Sequence, residues 1–323
     1  MIVFNRMIDF RTFKSNIYSN DQIVITSDSI DVRNNTLLEQ LAPEKFILIN
    51  FSISLNNETI SDKFIARKCF NENISEKEYF SLSEGLVEFI SNLNSLSRKI
   101  VIDISSLHLR FLGAFLSVLQ NYSWDLIFCS YTEPLHYKKK KSADLIYSPQ
   151  YSGQFDLYNE FYGNYQIPYL DTTSSQKTPF IWMVFLGFEG SRPESLRNEI
   201  GTATGITPII TVPAMNPGWD NFAFDANQFF FDAAELTCSD IEYISSINPF
   251  ATYNYLVEKQ HEFPNQRLII SPLSTRATSL GILLYAIKHS DCEIIYDTPK
   301  ESKSNTINCG KIHMYDILSL FKD

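Results

Sequence analysis

The sequence predicts an α/β protein made of two Rossmann-like domains with mostly parallel sheets. Three observations predict it. Short apolar runs alternate with amphipathic stretches along 323 residues, the pattern of strands joined by crossover helices. The run 180–187 (FIWMVFLG) is apolar throughout, as in a strand covered by helices on both faces. And 101–130 aligns without a gap on 269–298, an offset of 168 residues. Leu112 and Gly113 then fall on Leu280 and Gly281, Ser106 on Ser274, Leu116 on Leu284 and Ile127 on Ile295. This internal repeat relates the two domains.

The elements follow in order. Residues 22–26 (QIVIT) and 46–53 (FILINFSI) read as strands, with a short helix at 35–41 stopped by Pro43. The polar stretch 57–80 reads as a hairpin or an excursion. Leu82, Leu86, Phe89, Ile90 and Leu93 lie near helical spacing and place a helix at 82–96. Strand 100–104 leads through Ser105–His108 into a helix whose Leu112, Phe115, Leu116 and Leu119 form one apolar stripe. Strand 125–129 closes that unit, and Lys138–Lys141 mark a break, read as a solvated charge run.

Residues 142–178 are rich in aromatics, among them Tyr147, Tyr151, Phe155, Phe161 and Tyr169. Such a composition suits an ordered connector or a partner-docking surface. The pattern resumes with strand 180–187 and with Ser191, Arg192, Pro193 and Glu194, read as a capping box with proline in the first turn. Strand 207–212, a helix opened by Asn248 and Pro249, strand 267–271, helix 277–289 and strand 293–297 complete the chain. The expected division is 1–141, an aromatic connector at 142–178, and 179–323.

The net charge of −10 argues against general nucleic-acid binding, which needs an excess of Lys and Arg. Five scattered cysteines without a CxxC pair argue against a cysteine zinc site and fit a reducing, cytoplasmic setting. The histidines show no metal spacing, so no metal and no cofactor is expected. No apolar run approaches a membrane span or a leader segment, so no membrane partner is expected.

In open parallel sheets, ligands bind where strand carboxyl ends meet helix N-termini. Three candidate sites lie at such ends. The richest is the loop with Ser271, Ser274, Thr275, Arg276 and Thr278, whose hydroxyls and cation suit a phosphate. A cation at a helix start is unfavourable without an anionic partner, which points to a ligand; the alternative is that Ser274 or Thr275 is only a helix cap. The second is Gly190, Ser191 and Arg192, with Glu189 beside them. The third is Trp219, a stacking platform or a cover on the core edge. Glu189, Asp297 and Asp103 are the weak catalytic candidates, and Asp103 would need His108 or His136 for a hydrolytic constellation.

The segment 270–281 (ISPLSTRATSLG) resembles the ligand loop of CRISPR-associated Rossmann-fold (CARF) sensor domains, and 101–113 (VIDISSLHLRFLG) resembles it more distantly. The resemblance covers one turn and helix in each half; Pro272 and Leu273 depart from glycine-rich versions of the loop. It implies a cytoplasmic sensor or accessory protein that binds a nucleotide or another phosphorylated small molecule. It further implies a place in a multi-protein bacterial antiviral system, alongside a protein partner. Two other readings stay open: a transferase or hydrolase acting on a nucleotide or sugar phosphate, and a structural subunit that docks another protein through the connector.

Overall fold

A computed structural model describes residues 6–29, 31–56, 59–70, 73–139, 155, 157, 161–164, 166–170, 179–299 and 305–322. The protein is mixed α/β, with parallel strand pairing at the centre of each large sheet. It divides into two compact units. Most of the connector 142–178, including Tyr147 and Tyr151, lies outside the described residues.

The first unit holds an eight-stranded sheet. Its elements are β1 (Met7–Asp9), α1 (Phe10–Asn16), β2 (Ile23–Ser27), α2 (Val32–Leu41), β3 (Lys45–Asn56), β4 (Thr59–Phe70), β5 (Asn73–Ser81), α3 (Leu86–Leu96), β6 (Lys99–Asp103), α4 (Leu109–Leu119) and β7 (Leu126–Tyr137). The last strand of the chain, β15 (Thr306–Asp316), completes it. The order is β1-β15-β7-β6-β2-β3-β4-β5, parallel from β7 through β3 and antiparallel across β3–β4–β5. On one face Val24, Val101 and Phe128 pack with Phe13, Leu37 and Leu41 of α1 and α2.

The stripe expected on α4 is buried, but so is every other residue of that helix. The reason is the β3–β4 hairpin. Phe64 of β4 meets Phe111 edge-on, Phe51 of β3 lies beside His108, and Asp62 of β4 pairs with Arg110. A second layer therefore covers what a single amphipathic face would leave to solvent.

The second unit holds a five-stranded, all-parallel sheet. Its elements are β8 (Phe161–Asn164), β9 (Phe180–Leu186), α5 (Ser191–Ile200), β10 (Gly205–Thr211), α6 (Trp219–Ala226), α7 (Gln228–Ala233), β11 (Glu242–Ile244), α8 (Pro249–Glu262), β12 (Arg267–Pro272), α9 (Arg276–Lys288), β13 (Cys292–Ile294) and β14 (Asp297–Pro299). The order is β11-β10-β9-β12-β13, and β14 pairs antiparallel with β8 as a small separate ribbon. Asn248 caps α8, accepting from the amides of Phe250 and Ala251, with Pro249 in the first turn. Asn248→Ala is expected to lower stability by about 1 kcal/mol in urea titrations, because two helix-start amides lose their acceptor.

Three expectations change here. The C-terminal domain does not run to 323: β15 joins the eight-stranded sheet through antiparallel pairing with β1, register Met7↔Tyr315. Such long-range pairing has no local sequence signal. Ser191 does not cap α5; Gly190 holds the cap position without a side-chain bond, so Ser191 is the first helical residue. And the gapless alignment fails at its last strand. Lys99 and Arg267 each open a strand at the 168-residue offset. Beyond the helix, however, Ile100 pairs with Ile127 whereas Leu268 pairs with Cys292. The counterpart of Ile127 is thus Cys292 rather than Ile295, because the connection after α9 is three residues shorter (127 − 100 = 27 against 292 − 268 = 24).

Candidate functional site

The five-stranded sheet reverses its order at β9. From there the chain moves outward through β10 and β11, then returns to place β12 on the other side of β9. The loops leaving β9 and β12 therefore flank the crevice where such sheets hold ligands. They touch backbone to backbone: a Cβ on Gly187 would lie 2.2 Å from the carbonyl oxygen of Leu273. Leu273 N–H in turn donates to Phe185 O at 3.0 Å.

Most hydroxyls of the loop after β12 serve the protein. Ser271 accepts from the Trp182 indole at 2.9 Å. Thr275 is the N-cap of α9, accepting from the amide of Thr278 at 3.2 Å and donating to Ser246 O at 2.7 Å. Thr278 donates back to Thr275 O at 2.8 Å. The expected five-residue cradle contracts to Ser274 and Arg276. Both side chains are half-buried and have no hydrogen-bond or ion-pair partner among the described residues. Arg276 is the first residue of α9, where the helix dipole is positive.

The second candidate group is a closed ion cage. Arg192 is buried and donates through Nε to Asp297 Oδ1 and Oδ2 at 3.0 Å, and through Nη2 to Asp297 Oδ1 at 2.6 Å. Nη1 donates to Glu189 Oε2 at 3.0 Å. The guanidinium lies over the rings of Phe161 and Tyr296, 4.9 and 5.3 Å from their centroids. Burial works to lower its pKa, and the Asp297 and Glu189 carboxylates more than reverse that, so it stays charged. Two carboxylates on one guanidinium leave a net negative charge. Arg192 is therefore not a phosphate clamp, and Asp297 and Glu189 act as its acceptors. The close approach that Gly190 permits is also internal: a Cβ there would lie 1.7 Å from Ala226 O.

Trp219 is not an open platform. It is 8% exposed and stacks on Tyr137, the last residue of β7, which falls in the same compact unit, with centroids 5.2 Å apart and Phe188 edge-on at 5.4 Å. Phe155 of the connector joins the same cluster. An aromatic at the end of a loop found protein rings rather than a ligand, because burying a large ring is itself favourable.

One group carries more than its sequence reading did. Asp103, at the end of β6, is fully buried. It accepts from Thr26 at 3.1 Å and from the amide and hydroxyl of Ser105. Ser105 Oγ accepts from the amide of Thr132 at 2.9 Å. The hydroxyls of Ser130 and Thr132 are buried without partners among the described residues. Val24, Val101 and Phe128 lie two residues before Thr26, Asp103 and Ser130, so the apolar row under α2 turns polar at the strand ends. The strand endings ITSDS, DISS and CSYT held that signal. Asp103 engages neither His108 nor His136; His108 caps α4 through Nδ1, accepting from the amide of Arg110 at 3.3 Å.

Among the described residues no group of three or more His, Cys, Asp or Glu converges to hold a metal ion, and no helix is long and apolar enough to cross a membrane. No protein-family model matches the chain, and no curated protein matches it.

Proposed function

We propose that this protein binds a nucleotide or related phosphorylated small molecule at the turn between β12 and α9. In this reading both units are Rossmann-like domains related by an internal repeat, and the chain is a cytoplasmic sensor or accessory subunit of a bacterial antiviral system. The observation that carries the ligand is Arg276. Its positive side chain stands at the positive end of a thirteen-residue helix, without a partner among the described residues, beside Ser274. An anion resolves that repulsion and completes the charge. The strand order adds support: in chain order it runs third, second, first, fourth, fifth, the arrangement of dinucleotide-binding sheets, and the turn adjoins its reversal point.

The transferase or hydrolase reading needs Glu189 or Asp297 to move a proton, and both accept from Arg192. The site in hand therefore favours binding over turnover.

The test is a thermal-shift and calorimetry panel of inorganic phosphate, mononucleotides, linear dinucleotides and cyclic oligonucleotides. At least one should raise the melting temperature. Arg276→Ala should then weaken binding about 10- to 100-fold, the worth of one charge-assisted hydrogen bond of roughly 1.5–3 kcal/mol. Stabilisation by no member of the panel, or unchanged affinity in Arg276→Ala, would overturn the reading.

A further inference from the structure

The five-stranded sheet has the strand order of dinucleotide-binding sheets, yet the groups that such sheets offer a dinucleotide are here committed to one another. In those sheets the pyrophosphate lies on a glycine-rich loop at the start of the helix after the first strand. An acidic residue about 20 residues further on, at the end of the second strand, holds a ribose hydroxyl. Here the first strand is β9, its helix is α5, and the second strand is β10.

The loop after β9 runs Gly187, Phe188, Glu189, Gly190, Ser191, Arg192. Against the spacing G-x-G-x-x-G, Gly187 keeps the first position, but Glu189 takes the second and Arg192 the third. The second glycine is the one that lets the backbone reach the pyrophosphate, so a carboxylate stands where two phosphates would pass. The loop is also covered by protein. Asn227 Nδ2 donates to Gly187 O at 2.8 Å, and a Cβ on Gly190 would lie 1.7 Å from Ala226 O. The corner between α6 and α7 therefore rests on it. Arg192 is held by Asp297 and Glu189, which leaves the cage with net negative charge.

The second strand offers no acid either. After Thr211 the chain continues with Val212, 38% exposed, and Pro213. Between the loops that leave β9 and β10 stands Phe155, 4% exposed, with ring centroids 4.9 Å from Phe188 and 5.9 Å from Trp219. All of these residues belong to one compact unit.

We infer that the ligand of the β12–α9 turn is a phosphate monoester no larger than a mononucleotide, and that this crevice rejects dinucleotides. The inference rests on the ligand reading above and narrows it. Arg276 and the helix start suit one terminal phosphate, whose two charges exceed the single charge of a diester. A second phosphate on the β9 side meets the Glu189 carboxylate, and a second nucleoside meets the Phe155 ring. Like charges brought together in a partly dry site repel, and a packed ring yields its place only by giving up its contacts.

The test is calorimetric titration of the full chain with a ribose phosphate, a nucleoside monophosphate, and the pyrophosphate-linked and cyclic dinucleotides of the same nucleoside. Each is run on wild type and on Arg276→Ala, and binding that Arg276→Ala weakens is assigned to the turn. At least one monoester should bind there about tenfold more tightly than either dinucleotide. The stronger of the two monoesters shows whether a base adds to recognition of the phosphate. Phe155→Ala should narrow the difference, because the ring leaves the place of the second nucleoside. A dinucleotide bound at the turn as tightly as the better monoester would overturn the inference while the ligand reading stands. So would an undiminished difference in a folded Phe155→Ala variant. If no compound shows binding that depends on Arg276, the ligand reading falls and this inference with it.

Discussion

Arg192→Met is expected to lower the stability of the five-stranded unit by about 3–5 kcal/mol in urea titrations. The magnitude comes from what the substitution leaves behind. Methionine fills much of the space between Phe161 and Tyr296, so little packing is lost. Asp297, however, is 4% exposed and would keep a charge with no other ion-pair partner among the described residues. Glu189 would lose the same partner. Breaking a buried ion pair from one side costs far more than the intact pair contributes. Two further results separate this account from simple loss of packing. Adding Asp297→Asn and Glu189→Gln to Arg192→Met should recover more than half of the loss. The single variant should also gain stability relative to wild type as pH falls, because the buried Asp297, deprived of its guanidinium, takes up a proton more readily than in the unfolded chain. A loss under 1 kcal/mol would mean that the cage admits water and carries little of the fold.

Gly281→Ala should cost about 2–3 kcal/mol, although alanine is the better helix former by about 1 kcal/mol. Gly281 sits where α9 crosses the start of α8. A Cβ there would lie 2.3 Å from Pro249 O and 2.7 Å from Thr252 Cβ. The nearest atom is backbone at the capped start of a helix, so it has no rotamer by which to yield. The helices must part by about an ångström, since non-bonded carbon contacts are optimal near 3.5–4.0 Å. That displacement would also carry Ser274 and Arg276 with it, because both sit at the opening of α9. Weaker phosphate or nucleotide binding should accompany the lower melting temperature. A variant as stable as wild type would show that the crossing is looser than its geometry.

What was readable in the chain was local. The strand at 180–187 and the strand, turn and helix from 267 to 288 stand where their apolar spacing put them. So does the α8 start at Asn248 and Pro249. The candidate site was readable only in part. Arg276 was singled out by its position at a helix start, and it keeps that position with no partner among the described residues. Arg192 was singled out on the same kind of evidence, and its partner Asp297 lies 105 residues further on. The two arginines look alike in sequence; only the β8–β14 ribbon brought against one of them tells them apart.

By itself the sequence determined the alternation of strands and helices, the helix start at Asn248 and Pro249, and the acidic balance of the chain; that Thr275 rather than Ser274 caps its helix came from the structure. The former rest on propensity and periodicity over a few residues. Tertiary structure alone decided which sheet β15 joins, that Trp219 stacks on Tyr137, and that Thr26 meets Asp103 from 77 residues away. Each of these is a pairing between distant segments. Its energy exists only once loop closure has brought both partners together, so no stretch of either partner can announce it.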